Sequence, residues 1–363
     1  MNLSEFDYLL PEELIAQTPA AVRDQSRLMR VDRSRDQVSH HVFQDLPDLL
    51  EDGDLVVIND TRVFAARLRP VVKETGRRVE VLLLRPTGPH AWEALARPGR
   101  RLRAGTQMEL DGVPMHVVRD LPSGKKEIEF PDLSHDQILS WCDRAGEMPL
   151  PPYILRPGAE QDRQHYQTVY AEKSGSIAAP TAGLHFTTRV LERLRSRGVR
   201  IESLTLHVGY GTFQPIRVEQ IEEHRVDPER FIIPPETAAA IAEARQRSGR
   251  VVAVGTTVTR TLESAAAEGG LVTAGEGTTA LTICPGYRFR VVDALLTNFH
   301  LPKSSLYVLA AAFMGLDLAR KSYSIAIRER YRFYSYGDCM LIQGSGVRGQ
   351  GSGNNNPQLF NPQ

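Results

Sequence analysis

The stretch VVAVGTTVTRTLE, at residues 251–263, decides the fold of this chain. Its first four residues are a short apolar run of strand length, and Gly255 follows them as a turn residue. The Thr-rich residues after Gly255 begin a helical segment. A strand that passes through glycine directly into a helix is typical of α/β proteins, in which helices cover a largely parallel or mixed sheet.

The same alternation of strands and helices extends in both directions from this unit. We predict helices at 187–198, 234–249, 304–314 and 317–331, and strands at 26–33, 54–60, 200–208, 280–286, 290–299 and 338–342. Thr187 and Gly198 stand where a helix favours an N-cap residue and a glycine after its last turn. Residues 1–61 and 150–342 are therefore expected to form one α/β (mixed α+β) domain.

A different sequence pattern interrupts this domain between residues 62 and 149. Short β-rich runs alternate there with turns that contain Gly and Pro, and one helix at 136–145 closes the segment. Short strands at this spacing predict an inserted all-β, barrel-like domain. Residues 343–363 are rich in Gly, Asn and Gln and almost free of apolar side chains, so we predict a disordered tail.

The composition restricts the class of protein. The 363 residues carry 44 basic and 44 acidic side chains, so a polyanion could bind only at a local basic patch. Three cysteines without a CxxC pair argue against a zinc site or a disulfide framework. The first residues lack a signal-peptide pattern, and the apolar run at 306–316 is too short to span a bilayer. We expect a cytoplasmic protein without a membrane partner, and a monomer because no heptad pattern stands out.

Four segments combine a single histidine with Gly, Thr or Asn. They are APTAGLHF (179–186), TLHVGYGTF (205–213), EEHRVDPE (222–229) and TNFHLP (297–302). Each histidine taken alone is better explained as a structural residue. Three of the four lie where a strand should end or a helix begin, which is the edge of an α/β sheet where ligands bind. Together the segments therefore predict a ligand pocket with histidines that can transfer protons.

The pocket has no recognisable metal or nucleotide motif. No HxH or HxxxH spacing is present, so we predict no metal site. The strand–glycine–helix unit at 251–263 carries neither a Walker loop nor GxGxxG. The helix that starts after Gly255 offers free amides at its N-terminus, which favour an anion or an electron-rich ligand edge.

Basic residues cluster at 73–78, 97–103 and 125–126. They form either solvated turns or a surface that follows a phosphate backbone. The segment RYRFYSYGDCM (330–340) is rich in Tyr and Arg, and either packs in the core or stacks on RNA bases.

Longer blocks carry a resemblance to a known family. The blocks are FDYLLPEELIAQTP, RDQSRLM, NDTRVFAARL, GEMPLPPYI, GSIAAPTAGLHFT, TLHVGYGTFQPI, VGTTVTRTLES, PGYRFRVVDALLTNFHLPKSSL and YRFYSYGDCMLI. In this order they resemble the S-adenosylmethionine:tRNA ribosyltransferase-isomerase family of queuosine biosynthesis, over residues 1 to about 342.

The resemblance implies a fold and a reaction. The fold is an α/β domain with a β-barrel domain. The reaction transfers and isomerises the ribosyl group of S-adenosylmethionine onto 7-aminomethyl-7-deazaguanine at the wobble position of tRNA with a GUN anticodon. The products are epoxyqueuosine-tRNA, adenine and methionine. S-adenosylmethionine is a consumed substrate, so no cofactor is expected.

The chemistry of the residues suggests roles within this reaction. His185, His207 and His300 are our candidates for proton transfer. The other candidates are expected to bind substrate: Thr181, Gly183, Gly209 and Gly211 around S-adenosylmethionine, Arg260 on its methionine carboxylate, Asn298 on the ribose or a base, and Asp60 and Arg62 on the deazaguanine or the RNA backbone.

One segment departs from the family pattern, which is close to HxMHxE. Here His224 and Glu229 are retained, but Asp227 stands at the second histidine position. We therefore keep Glu229 as a substrate-binding candidate and do not include Asp227.

Two other functions compete with this interpretation. An RNA-binding module without catalysis should concentrate basic and aromatic residues in its distinctive segments, which instead are rich in His, Gly and Thr. A dinucleotide-dependent oxidoreductase should carry GxGxxG together with a downstream acidic residue, and a hydrolase should carry GxSxG; neither signature is present.

Overall fold

A computed structural model describes residues 1–213 and 215–344 as a mixed α/β structure with two large sheets. The α-helices of this part are α1 (Leu46–Leu49), α2 (His135–Ala145), α3 (Asp162–His165), α4 (Thr188–Ser196), α5 (Pro235–Gln246), α6 (Gly255–Ala265), α7 (Ser305–Met314) and α8 (Leu316–Arg328). The strands are β1 (Arg27–Asp32), β2 (Gln37–Val42), β3 (Leu55–Asn59), β4 (Thr61–Val63), β5 (Arg67–Leu68), β6 (Val71–Val72), β7 (Glu80–Pro86), β8 (Ala91–Arg97), β9 (Gln107–Leu110), β10 (Val113–Asp120), β11 (Lys126–Glu129), β12 (Lys173–Ser176), β13 (Arg200–Leu206), β14 (Glu229–Ile233), β15 (Val251–Val254), β16 (Gly275–Thr279), β17 (Ala294–Asn298) and β18 (Cys339–Gln343).

The larger sheet has nine strands in the order β16-β14-β13-β3-β15-β17-β18-β1-β2. Its centre is parallel, because β3 pairs in parallel with both β13 and β15, and β15 with β17. Side chains alternate between two apolar layers, as expected for strands covered on both faces. Leu55 and Val57 of β3 pack in the layer with α5 to α8, while Val56 and Ile58 pack with α1 and α4.

Helix caps lie where the sequence predicts them. Thr187 precedes α4, and its side chain accepts a hydrogen bond from the Val190 N–H. Ser304 does the same for α7 through the N–H of Tyr307. Gly255 has φ +90°, a conformation that side-chain-bearing residues rarely adopt, and this allows β15 to enter α6 without a loop.

The second sheet contains seven antiparallel strands in the order β5-β7-β8-β11-β10-β9-β6. Its two outermost strands, β5 and β6, are separated in the chain only by Arg69 and Pro70, so the sheet is strongly curled. Trp92 and Ile128 fill its concave side with Trp141 of α2. A third, two-stranded parallel sheet joins β4 to β12.

Three details of the sequence prediction are wrong. The predicted strand at 280–286 has no regular structure, and the strand that pairs with β14 is the earlier segment 275–279. Strands β2 and β14 were not predicted, because they alternate weakly in polarity. Gln343, placed in the predicted tail, is the last residue of β18 and pairs with Asp32. The rest of the predicted disordered tail, from 345 onward, lies outside the described residues. No helix in the described ranges is long and apolar enough to cross a membrane.

Candidate functional site

A crevice lies at the carboxyl edge of the parallel strands. Strands β3, β13, β15 and β17 end at this edge, which places the residues that follow them close together. Three backbone segments form most of the crevice, namely 178–182, 255–257 and 297–300, with Val208, Leu306, Tyr334 and Ser335 completing it. The predicted site residues among them are Thr181, Asn298 and His300.

The crevice is neutral, and the N-terminus of α6 opens onto it. Among the described residues, none that line it is a Lys, Arg, Asp or Glu. Gly255, Thr256 and Thr257 belong to both the crevice wall and the first turn of α6. The amides of a first helical turn lack partners within the helix, so this wall presents hydrogen-bond donors and a partial positive charge.

Asn298 connects the crevice to His185. Its Nδ2 lies 3.2 Å from the carbonyl oxygen of Tyr334 and 3.4 Å from that of Asp338, which fixes the orientation of the amide. The same Nδ2 lies 3.2 Å from Nε2 of His185. Asn298 Oδ1 is buried, and no described residue donates a hydrogen bond to it. Asn298 therefore has a free acceptor beside the crevice.

His185 is a neutral, fully engaged imidazole behind Asn298. Because Nε2 faces an N–H donor, the proton resides on Nδ1, which lies 2.7 Å from Ser26 Oγ. Burial, assisted by the charges of Arg23 and Arg332, lowers the pKa of His185 to about 3. His185 does not line the crevice but a separate cavity with Arg23 and Tyr336, and it contacts the crevice residue Asn298.

His300 lines the crevice directly. Its Nε2 lies 2.8 Å from Thr297 Oγ1, its N–H donates to the Tyr323 hydroxyl, and its carbonyl accepts from Tyr8. Burial lowers the pKa of His300 to about 3. The imidazole is therefore neutral, and hydrogen bonds to its ring, its N–H and its carbonyl hold the residue in place.

His207 directly precedes Val208 of the crevice wall and contacts the two-stranded sheet of β4 and β12. Its Nδ1 is 2.9 Å from Thr61 Oγ1, and burial, followed by the charges of Arg230 and His135, lowers its pKa to about 4. The ring packs on Gly175, where an added Cβ would lie 2.9 Å from Cε1 of His207. Gly175 was missed in the sequence, because only the folded chain brings it against this histidine.

Asp60 and Arg62 both make contacts within the protein near the carboxyl edge of the parallel strands. Asp60 is buried and accepts a hydrogen bond from Thr205 Oγ1 at 2.6 Å, and burial raises its pKa. Arg62 is half-exposed and forms an ion pair of 3.3 Å with Asp143 of α2. Neither residue lines the crevice.

Arg260 and Glu229 form a buried ion pair outside the crevice. The guanidinium donates to Glu229 Oε2 at 2.5 Å and to the Leu281 carbonyl at 2.9 Å. Glu229 Oε1 accepts the N–H of Gly209 at 2.8 Å. The pair therefore fixes the loop after β13, and Arg260, our candidate for the methionine carboxylate, does not line the crevice.

The glycines and Asp227 have different surroundings. Gly183 packs against Tyr170, and a Cβ there would lie 2.1 Å from the tyrosine hydroxyl oxygen. Gly209 and Gly211 have room for a Cβ. Asp227, which departs from the family pattern, is exposed and lies 3.5 Å from Lys125 Nζ of the curled sheet.

Several crevice residues were missed by the sequence reasoning. They are Thr256, Thr257, Thr297, Tyr334 and Ser335. The first two lie within the stretch that decided the fold, so their position after β15 was a usable signal. Tyr334 has φ +75°, which is unusual for an aromatic residue and often marks a functional site. Within the described chain, no three His, Cys, Asp or Glu residues converge to hold a metal ion.

The fold is that of an α/β protein, and the crevice lies at the carboxyl edge of the parallel strands, where proteins of this class bind their ligands. Residues 3–342 match the model of a family described as queuosine biosynthesis protein, and the chain belongs to this family.

Curated relatives carry one name, S-adenosylmethionine:tRNA ribosyltransferase-isomerase. The protein from Trichlorobacter lovleyi is 50% identical over 343 residues, and that from Pelobacter propionicus 51% over 346 residues. Each alignment covers 94% of this chain and 100% of the relative. The crystal structure of S-adenosylmethionine tRNA ribosyltransferase from Thermotoga maritima is similar, with a TM-score of 0.53 and 35% identity over 93% of this chain and 99% of that one.

Proposed function

We propose that this chain is a transferase and isomerase that uses S-adenosylmethionine to modify tRNA in queuosine biosynthesis. It transfers and isomerises the ribosyl group onto 7-aminomethyl-7-deazaguanine at the wobble position of tRNA with a GUN anticodon. Epoxyqueuosine-tRNA forms, and adenine and methionine are released. The observation that carries the proposal is identity of about half over nearly the whole chain to relatives with this name.

The neutral crevice suits S-adenosylmethionine as a consumed substrate. A sulfonium cation is not repelled by the neutral histidine and threonine side chains that line the wall. The amides at the start of α6 are suited to the methionine carboxylate, a role that we first gave to Arg260. The free Oδ1 of Asn298 is suited to accept a hydrogen bond from a ribose hydroxyl or an amino group of a base. We propose no metal and no other cofactor.

Proton transfer is required at two points of this reaction. A base removes a proton from the carbon next to the sulfonium, and an acid protonates the departing adenine. We propose His300 as the first candidate, because it lines the crevice and is neutral. His207 lies one residue before Val208 of the crevice wall, and His185 supports the site through Asn298. Gly183, Gly209, Gly211 and Glu229 are proposed to shape the loops around the pocket, and Thr181 to contact the substrate.

The organisation proposed for the chain follows the two large sheets. Residues 1–61 and 150–342 form the catalytic domain, and residues 62–149 an inserted β-barrel-like domain. This boundary is supported by the pairing of β5 and β6 with opposite ends of the curled sheet. We further propose a cytoplasmic monomer in which Asp60 and Arg62, at the junction, orient the deazaguanine or the RNA.

One turnover assay tests the function. The purified chain is incubated with S-adenosylmethionine and tRNA that carries the aminomethyl-deazaguanine base, and free adenine and the mass of the wobble nucleoside are measured. Adenine release equal to the gain of an epoxycyclopentanediol group supports the proposal. The absence of both from a folded protein contradicts it. A melting-temperature increase with S-adenosylmethionine but not with NAD distinguishes it from an oxidoreductase.

A further inference from the structure

One end of the curled sheet carries a concentration of positive charge in a chain whose formal net charge is zero. The two segments that form this end, 69–80 and 97–107, contain eight Lys or Arg and two Glu, a formal charge of +6. The excess is local, and phosphate binding depends on local charge rather than on the total.

Strand pairing brings these two segments together. Arg97 of β8 lies opposite Glu80 of β7. The Val72 N–H donates to the Arg77 carbonyl, and the Val72 carbonyl accepts the N–H of Gly76. The Lys73 N–H donates to the Gln107 carbonyl, and the Thr106 N–H donates to the Arg103 carbonyl. The basic end is therefore one surface, which we define by Arg77, Arg78, Arg97, Arg101 and Arg103.

These five arginines are exposed and have no acidic partner among the described residues. Two of the nearby carboxylates are engaged elsewhere, since Glu80 pairs with Arg69 and Glu109 with Lys73. Most arginines on the rest of the described surface instead make ion pairs or donate to carbonyl groups. A cluster of arginines without acidic partners is suited to bind a polyanion, because binding releases the counterions that surround the polyanion.

A groove extends from this basic end toward the crevice wall. It is lined by Arg97 and Leu95 of β8 and by residues 147–152 and 154–158. At its inner end the groove reaches Tyr210 and Ile177. Ile177 immediately precedes Ala178 and Ala179, which belong to the crevice wall.

We propose that the basic end of the curled sheet binds the phosphate backbone of the RNA substrate, while the groove directs the base to be modified into the crevice. This inference rests on the proposed function for the identity of the RNA. It assigns the curled sheet a task separate from the chemistry, namely to hold the stem of the RNA by its phosphates. Such contacts contribute affinity and fix the position of the protein along the RNA, but they do not distinguish one base sequence from another.

The test uses two matched double variants of the full chain. R101A/R103A removes two charges from the basic end. R195A/R247A removes two exposed arginines without side-chain partners in the described structure, near the ends of α4 and α5. These helices end just before β13 and β15 begin, so the control lies at the opposite edge of the sheet.

Binding of a fluorescent, unmodified anticodon stem-loop RNA is measured at several salt concentrations for each protein. R101A/R103A should bind about tenfold more weakly, and the slope of log affinity against log salt should become about 1 to 2 less negative. R195A/R247A should behave as the wild type. Thermal stabilisation by S-adenosylmethionine should be the same in all three proteins, which confirms that the fold and the crevice are intact.

The outcomes separate this inference from the proposed function. An unchanged affinity and slope in R101A/R103A would overturn the inference, even if the wild type modifies tRNA. Equal weakening of both double variants, or no RNA binding by the wild type, would also overturn it. Selective weakening of R101A/R103A in a protein that releases no adenine would support the basic end and contradict the proposed reaction.

Discussion

The side-chain nitrogen of Asn298 lies 3.2 Å from Nε2 of His185, and this contact determines which histidine nitrogen carries the proton. Two backbone carbonyls, of Tyr334 and Asp338, hold the Asn298 amide with its nitrogen toward them. His185 must then accept through Nε2 and carry its proton on Nδ1. A residue of β17 thus sets the state of a side chain that is distant in sequence.

The first prediction concerns this tautomer. Nitrogen-15 NMR of labelled histidine should show His185 as the neutral Nδ1–H form at pH 7. N298A should broaden or shift that signal, because it removes the donor at Nε2. It should also lower the free energy of unfolding by about 1 to 3 kcal/mol, since two buried carbonyls lose their partner. An Nε2–H signal in the wild type would contradict this assignment.

The second prediction concerns stability at low pH. The pKa values of His185, His207 and His300 are lowered to about 3, 4 and 3, whereas the unfolded chain holds histidine near about 6.5. Unfolding at pH 5 therefore takes up protons, and the stability present above pH ~6.5 is lost as pH falls toward ~4. Each histidine should contribute about 1.4 kcal/mol per pH unit within that window.

Urea unfolding at several pH values measures this loss. H300Q should lower the slope of the unfolding free energy against pH by the equivalent of one proton, because glutamine does not titrate. Equal slopes in the wild type and H300Q would show that His300 is already protonated or solvated.

The fold was predictable to a large extent, because its strands and helices are long enough to show their periods. The unit at 251–263 predicted β15, Gly255 and α6, and the position of α6 at the ligand edge followed from the rule for parallel strands. The short β-rich runs between turns with Gly and Pro predicted an all-β segment, which corresponds to the curled sheet. Strands β2, β14 and β16 were missed because they are short and alternate weakly in polarity, and β2 and β16 are the two edge strands of the sheet.

The site was only partly predictable. The sequence places His185, His207 and His300 near strand ends, but it does not show which of them faces the crevice. That depends on the order of strands in space and on partners such as Ser26, Thr61 and Thr297. Arg260 illustrates the same limit, because its partner Glu229 lies on a different strand and neutralises it.

The third prediction separates two glycines that looked alike in the sequence. G183A should destabilise the protein strongly, because its Cβ would lie 2.1 Å from the Tyr170 hydroxyl oxygen. G209A should be nearly neutral, since its Cβ would meet Glu229 at an ordinary 3.7 Å. Melting temperatures of the two variants provide the comparison.

A second substitution tests the physical reason. The Tyr170 hydroxyl is buried without a hydrogen-bond partner in the described structure, so Y170F should cost little by itself. In G183A/Y170F it should restore part of the lost stability by making room for the Cβ. Failure of Y170F to help would mean that Thr168, also near Gly183, dominates the clash.

The last prediction concerns the buried pair of Arg260 and Glu229. R260M should lower the free energy of unfolding by about 3 kcal/mol or more, because it leaves a carboxylate buried without its cation. R260M/E229Q should recover most of this loss, since glutamine is neutral and still accepts the Gly209 N–H. R230M, which breaks an exposed ion pair with Glu276, should cost less than about 1 kcal/mol.

The same variants decide between two roles for Arg260. If Arg260 only holds the loop after β13, the KM for S-adenosylmethionine in R260M/E229Q should return close to the wild-type value together with the stability. If Arg260 binds the methionine carboxylate, KM should stay at least tenfold higher although the fold is restored, because a charged contact contributes about 1.5 to 3 kcal/mol. The buried, already paired guanidinium predicts the first result.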